Sequence, residues 1–300
     1  YEIEDVFRTY GVLTREAGFY FYFSRKIREL RECGHEGTAR AYASSLRSMQ
    51  RYLGKKDFPF IKLSSRIISD YQGKLLASGI CDNTIGFYLH NIKALFRKGC
   101  REMGLELPCP FRDISIKTEK TLKRSLDPVV IKTLSAIELE KDSPLSLARD
   151  IFMFSFYTRG MSFVDIALLK KRHVFPGEIC YRRHKTDQLM RVGINKEISR
   201  ILERYKNVPG EYIFPLFPAE RDPYAGYRSA YHRIRYSLGK ISRVIGLEFP
   251  LRLHAARHSW ATIAKVNGAS VHVIGECLGH TSEKTTRIYL KELDHSDRFG

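Results

Sequence analysis

Three hundred residues, 43% hydrophobic and 28% charged, make a globular chain long enough for two domains with separate cores, and exclude a largely disordered one. Lysine and arginine number 51 against 33 acidic residues, and the resulting +18 favours a polyanionic partner over an acidic or neutral surface. The excess is shared evenly. Residues 1–125 hold 23 basic and 14 acidic side chains (+9) and the remainder 28 and 19 (+9), so one polyanion is expected to touch both halves. The six cysteines, Cys33, Cys81, Cys100, Cys109, Cys180 and Cys277, form no C-x-x-C pair and lack the spacing of metal ligands or of a disulfide scaffold. A reducing cytosol with no metal and no cofactor is the expectation. The longest apolar run, IFMFSFY at 151–157, falls far short of the roughly 20 residues that cross a bilayer, and no secretory signal opens the chain. Because the first residue is Tyr rather than Met, targeting arguments carry little weight.

In chain order, residues 12–107 read as helical. The aromatic stretch FYFYFSRKIREL is followed by GHEGTARAYASSLRSMQRYLGK, whose Ala39, Tyr42, Ala43, Leu46, Met49, Tyr52 and Leu53 keep one stripe at helical spacing. A further segment, SSRIISDYQGKLLASG, ends at Gly79. The next, CDNTIGFYLHNIKALFRKGCREMG, starts behind Asp82 or Asn83 as a cap and ends at Gly104. Together they predict a bundle of about four helices over residues 1–111. Its polar faces carry Arg40, Arg47, Arg51, Lys93, Arg97, Lys98 and Arg101. Such a face is commonly plain solvated surface; the equal charge of the second half is what points it toward DNA.

Residues 112–126, after Pro108 and Pro110, lose apolar periodicity and read as an extended linker. From Asp127 helices resume, HVFPGEICYRRHKTDQLMRVGI at 173–194 reads as strands joined by turns, and helices return to the end. The predicted fold class is therefore α+β, mainly α, with a helical first domain and a mixed second domain (127–300) containing a small antiparallel sheet.

The chemistry concentrates in the second domain. His254 and Arg257 lie three apart on a helix closed by Asn267-Gly268, so their side chains share a face. His280 follows a glycine turn, and Tyr289 comes nine residues later on a helix that Thr281 or Ser282 could cap. Singly, each has a plainer reading: a His-x-x-Arg as a surface pair, a tyrosine on an amphipathic helix as core, Lys185 as a solvated hairpin lysine. Their order and spacing together carry the signal.

HAARHSWAT, LGHTSEKTTRIY and RRHKT resemble the three C-terminal motifs of the tyrosine recombinases, the phage integrase family, over about residues 150–290. The helical first domain resembles that family's core-binding domain, and YTRGMSFVDIALLKKRHV is most similar to integrases of Bacteroides-type mobile elements. The resemblance implies a cytoplasmic, nucleoid-associated bacterial protein whose two domains clamp duplex DNA, with four protomers acting on two synapsed sites and accessory DNA-bending proteins as further partners. It also implies roles. Tyr289 attacks the scissile phosphate to give a 3′-phosphotyrosine, Lys185 protonates the leaving oxygen, and Arg257 clamps the phosphate. His254 assists proton transfer around Tyr289, and His280 donates to a non-bridging oxygen.

Elementary chemistry agrees with those roles. A phosphodiester is a negatively charged, poor electrophile, so an enzyme without metal must bring cations to its non-bridging oxygens. Arginine's planar fork holds two oxygens at once, and a tyrosyl phosphodiester conserves bond energy for rejoining without ATP.

One departure stands out. The family pattern G-L-R-x-S-E laid on GMSFVDIALL puts Ser162 where its first arginine belongs and Asp165 in the acidic place. Arg159 and Arg183 are the candidates to fill the gap. Arg183 is favoured if the strand runs through Lys185, because residues two apart on a strand share a face while Arg182 and His184 point away. Two rival functions remain: supercoil relaxation of the type IB topoisomerase kind, which needs no tetramer, and a non-catalytic DNA-binding relic.

Overall fold

The computed structural model describes residues 18–117, 119, 124–217, 223–280 and 282–294. The helical reading of 12–17, the Thr281 cap and linker residues 118 and 120–123 lie outside them. The chain divides into two compact units, with the boundary between Lys120 and Thr121.

The first unit is built from α1 (Phe19–Glu32), α2 (Glu36–Leu53), α3 (Ser65–Ala77) and α4 (Asp82–Glu102). Its core is dominated by rings: Phe19, Tyr20, Tyr22, Phe23, Phe60, Tyr71, Phe96 and Phe111 are all buried. Phe19 and Phe60 meet edge to face at 4.9 Å, and Phe60 stacks on Phe96 at 5.9 Å. The start of α1 is satisfied by Asp57, whose carboxylate accepts from the backbone N–H of Tyr20 (2.8 Å) and Phe21 (2.9 Å). Lys26 is buried on α1 and tied to Glu29 and Glu102, each at 2.7 Å, while the Tyr22 hydroxyl donates to Glu102 at 3.0 Å. Two carboxylates thus answer this buried lysine, and Glu102 pins α1 to α4. Ser64 caps α3, which ends before a left-handed Gly79 (φ +73).

The start of α4 differs from the sequence expectation. Asp82 is already the first helical residue and Cys81 is the cap, its Sγ 3.2 Å from the Thr84 hydroxyl. Asn83 is engaged elsewhere: its amide donates to the Glu119 carbonyl (2.9 Å) and accepts from the Glu119 N–H (3.0 Å). Gln72 likewise donates to the Ser115 carbonyl, and Ile114 and Ile116 pack on the first core. The leading part of the expected linker is therefore bound to the first unit. At its far end Leu126 joins the second core, its N–H donating to Ser259 Oγ at 2.7 Å.

The second unit contains α5 (Pro128–Ala136), α6 (Pro144–Tyr157), α7 (Phe163–Ala167), β1 (Val174–Phe175), β2 (Glu178–Arg182) and β3 (Leu189–Gly193). These are followed by α8 (Lys196–Arg204), α9 (Pro223–Val244), α10 (Leu253–Val266), α11 (Val271–Leu278) and α12 (Glu283–Asp294). The sheet is antiparallel in the order β1-β2-β3, with Ile179 opposite Val192 and Arg182 opposite Leu189. Ile179, Tyr181, Met190 and Val192 point inward in alternation, which is the expected signature of a sheet covered on one face. Helix α6 runs through the middle of the unit, against α9 and α10, and buries four consecutive residues, Ile151 to Phe154. A helix apolar all round belongs at the centre of a domain. A smaller cluster of Ala261, Ile274, Leu278 and Leu290, with Trp260 and Tyr289 against it, seats α11 and α12 on α10. No described helix is long and apolar enough to cross a membrane.

Candidate active site

Where α6 ends, Arg159 (φ +62) and Gly160 (φ +82) are both left-handed and turn the chain sharply toward α7. Glycine is required at the second position by space as well as by φ. A Cβ there would lie 2.6 Å from Arg257 Cγ. The Gly160 carbonyl accepts from Arg257 Nη1 at 2.7 Å, and the Leu278 carbonyl at the end of α11 accepts from Nη2 at 2.5 Å. Two main-chain dipoles thereby aim the guanidinium, which is only 9% exposed. Burial and then the neighbouring Arg183 charge lower its pKa to about 10, still well above neutrality.

Arg183 reaches the same place from the sheet, and its Nη1 donates to the carbonyl of Gly279, the left-handed residue (φ +63) after α11. No described carboxylate lies within ion-pair distance of Arg183 or Arg257. Both cations are positioned by carbonyl oxygens, so their charge is left for an external anion.

Arg183 and Lys185 do not share a strand, contrary to the expectation from the sequence. β2 ends at Arg182, and residues 183–188 form a turn with Asp187 left-handed (φ +52). Lys185 sits in that turn, so strand alternation does not relate it to Arg183. One further backbone bond, Arg183 N–H to the Gln188 carbonyl at 2.9 Å, carries the pairing just past Arg182 and keeps Arg183 on the inner side. The exposed Arg182 instead pairs with Asp187.

Ser162, in the place of the family's first arginine, caps α7 and donates to Asp165 Oδ2 at 2.6 Å. The buried Asp165 accepts the His184 backbone N–H at 2.8 Å on its other oxygen, tying α7 to the β2–β3 turn that carries Lys185. Arg159 turns elsewhere, with its Nη1 3.4 Å from Cys277 Sγ on α11.

These elements enclose a cleft of about 620 Å³ whose walls include Ser162, Arg183, Lys185, His254, Arg257 and His280. Arg159 does not line it. His280 is fixed by Thr286 Oγ1 (2.9 Å from Nδ1), with Nε2 3.4 Å from Arg257 Nη2. Tyr289 lies beside the cleft, its ring centroid 5.6 Å from that of His280. Burial pushes its phenol pKa up, against the pull of Arg257. Its hydroxyl oxygen lies 2.5 Å from His258 Nδ1. His258 is not among the residues expected from the sequence, although i and i+4 spacing places it on the face of His254, with ring centroids 5.8 Å apart. Ser282 accepts the Thr285 N–H at 3.3 Å and so caps α12, the helix that carries the tyrosine.

The basic residues named in the first unit fall on α2 and α4. Arg40 pairs with Glu36 (3.3 Å), Lys93 lies 6.0 Å from the Phe111 ring, and Arg47, Arg51 and Arg97 are exposed. Among the described residues no three His, Cys, Asp or Glu side chains group as metal ligands.

Two inward arginines with no described carboxylate partner, beside a half-buried phenol, make a site suited to holding an anion. The model of the phage integrase family matches residues 125–295, and that of the phage integrase SAM-like domain matches residues 18–111. The chain belongs to the phage integrase family. A tyrosine recombinase XerC from Shewanella oneidensis is 26% identical over 226 residues, 72% of this chain and 70% of that protein. A tyrosine recombinase XerD from Pseudomonas putida is 24% identical over 262 residues, 85% and 86% of the two chains. Among solved structures, a lambda integrase dimer bound to a COC′ core site matches with a TM-score of 0.67 at 17% identity, covering 91% of this chain and 95% of that one. The Tn1549 transposon integrase in complex with transposon right end DNA gives 0.66 at 15% identity, covering 91% and 94%. The family makes the reaction class site-specific DNA recombination, and supercoil relaxation loses its footing as the alternative.

Proposed function

We propose that this protein cleaves and rejoins duplex DNA at specific sites through a 3′-phosphotyrosine on Tyr289, with the first unit serving as a DNA-binding domain and the second as the catalytic domain. One observation carries the assignment. Arg183, Lys185, His254, Arg257 and His280, drawn from three separate segments, line a single cleft beside the phenol. Arg257 and Arg183 hold the non-bridging oxygens, and the dipoles behind them are already oriented, so little reorganisation accompanies charge build-up in the transition state. Lys185, exposed on its turn, gives a proton to the departing 5′-oxygen, His280 donates to a non-bridging oxygen, and His254 lends a second imidazole at the cleft wall. Arg183 is the replacement for the family's first arginine: its charge is felt by Arg257, while Arg159 is directed at Cys277.

Arg47, Arg51 and Arg97, with Arg40 and Lys93, bind backbone phosphates on the target. Lambda integrase forms a tetramer bound to a Holliday junction, and this chain, 16% identical to it with a TM-score of 0.63, acts likewise as four protomers on two sites. The protein works on nucleoid DNA in the cytoplasm, with accessory DNA-bending proteins assisting synapsis, and serves a mobile element of the Bacteroides type. The test is incubation with element or host DNA, denaturing capture of the protein, and sequencing of the attached ends. Wild type is expected to retain discrete 3′ ends and Tyr289→Phe none. Attached ends in Tyr289→Phe would assign the nucleophile elsewhere.

A further inference from the structure

For the phenol to attack phosphorus its proton must leave, and at neutral pH the buried hydroxyl keeps that proton. A base must lie within hydrogen-bond reach of the oxygen that it deprotonates. We infer that His258 is the catalytic base of cleavage and takes the Tyr289 proton on Nδ1, whereas the family resemblance implies His254 as the residue that assists proton transfer there. The inference rests on the proposed role of Tyr289 as nucleophile.

Three observations converge on it. His258 Nδ1 is 2.5 Å from the Tyr289 hydroxyl oxygen, and the two rings lie 5.4 Å apart with planes at 34°. His258 adjoins Arg257 on α10, so one stretch of helix positions both the base and the phosphate clamp. The third is an exit for the proton. His258 is 9% exposed and does not line the main cleft; it borders a second cavity of about 530 Å³, whose other walls include Arg124, Glu248, Arg252 and His254. The proton can thus leave on the side away from the bound phosphate.

The step balances without any further reactant. The Tyr289 O–H bond breaks as its proton passes to Nδ1, and the oxygen pair forms the bond to phosphorus. The bond from phosphorus to the 5′-oxygen breaks, and that oxygen takes its proton from Lys185. The imidazolium then passes the Nε2 proton to water in the second cavity, and rejoining runs the same path backward. The groups that bias the imidazole are His254 on the same helix, Arg257 beside it, Tyr289 on α12, His280 after α11, and Arg124, Glu248 and Arg252 across the second cavity.

The experiment compares single-turnover cleavage by the full chain on two nicked substrates, one natural and one with sulfur replacing the bridging 5′-oxygen of the scissile linkage. A thiolate leaves without protonation, so Lys185→Ala should be slow on the natural substrate and restored on the sulfur one. His258→Ala should be slowed about 10²-fold or more on both, with Tm and DNA affinity near wild type and partial rescue by added imidazole. His258→Gln, which keeps a hydrogen-bonding group but takes up no proton, should be equally slow and serves if the alanine variant fails to fold. Near-wild-type cleavage by His258→Gln, or full restoration of His258→Ala by sulfur, overturns the inference. If that occurs while Tyr289→Phe still forms no adduct, the proposed function stands and the base alone is misassigned; an adduct in Tyr289→Phe removes both.

Discussion

Each unit buries a cation, and the two are treated differently. In the first, Lys26 is met by Glu29 and Glu102 and its charge is spent within the fold. In the second, Arg257 and Arg183 are held by the carbonyls of Gly160, Leu278 and Gly279, with no described carboxylate in ion-pair reach. Main-chain dipoles orient a guanidinium without cancelling it. The contrast separates a cation that holds structure from one kept ready for a ligand, although Lys26 and Arg257 are both buried on helices of ordinary sequence.

The comparison breaks most visibly at the arginines. Arg257→Ala and Arg183→Ala should each slow single-turnover cleavage of a nicked suicide substrate by about 10² or more, with melting temperature little changed, and Ser162→Arg should partly rescue the second variant only. Near-normal cleavage by Arg183→Ala beside a dead Arg159→Ala would reverse the assignment. Next come two glycines. Gly160→Ala forces Cβ to 2.6 Å from Arg257 Cγ at a left-handed backbone, and should lose both cleavage and about 1–3 kcal/mol of stability. Gly99→Ala, with Cβ 2.5 Å from the Phe60 ring, should show a similar loss in denaturant titration yet leave cleavage intact once folded.

The Lys26 pair is sharpened by pH. Burial opposes ionisation of Glu102, but hydrogen bonds from Lys26 and Tyr22 outweigh it and hold its pKa below the ordinary 4.5. Its contribution, roughly 1 kcal/mol, is whole above that value and lost as pH falls through the lower folded-state pKa. Glu102→Gln should therefore destabilise at pH 7 and converge on wild type in acid, measured by denaturant midpoints; an equal loss at both ends would rule out the charge. The smallest effect is expected at the exposed arginines. Arg47→Ala and Arg97→Ala should each reduce the log–log salt slope of DNA binding by about 0.9, and an unchanged slope would place that residue off the DNA.

Much of this architecture is legible in the residues. Helical periodicity delivers α2, glycine stops place the ends of α3 and α4, and the alternation of Ile179 and Tyr181 delivers β2. The cap of α4 was missed because Asn83 is claimed by Glu119, a partner 36 residues away that no local rule reveals. The site divides the same way. Spacing on α10 and α12 points to Arg257 and Tyr289, and the family resemblance of RRHKT, at the end of β2 and in the turn after it, points to Lys185. The strand argument reached Arg183 through a premise that the turn at 183–188 removes. His258 was passed over because the phenol that gives it a purpose lies 31 residues further on, and the roles of Gly160 and Gly279 belong to their carbonyls, which every residue has.

The carbonyls of Leu278 and Gly279 have one more consequence. They lie only ten or so residues before Tyr289, so on the proposed assignment a break in the chain ahead of α11 discards the phenol together with two of the three oxygens that aim the arginines. A premature stop there should therefore leave a chain that forms no covalent adduct with DNA, instead of one that cuts and fails to reseal. For a host genome, a protein that fails all at once is safer than one that fails halfway.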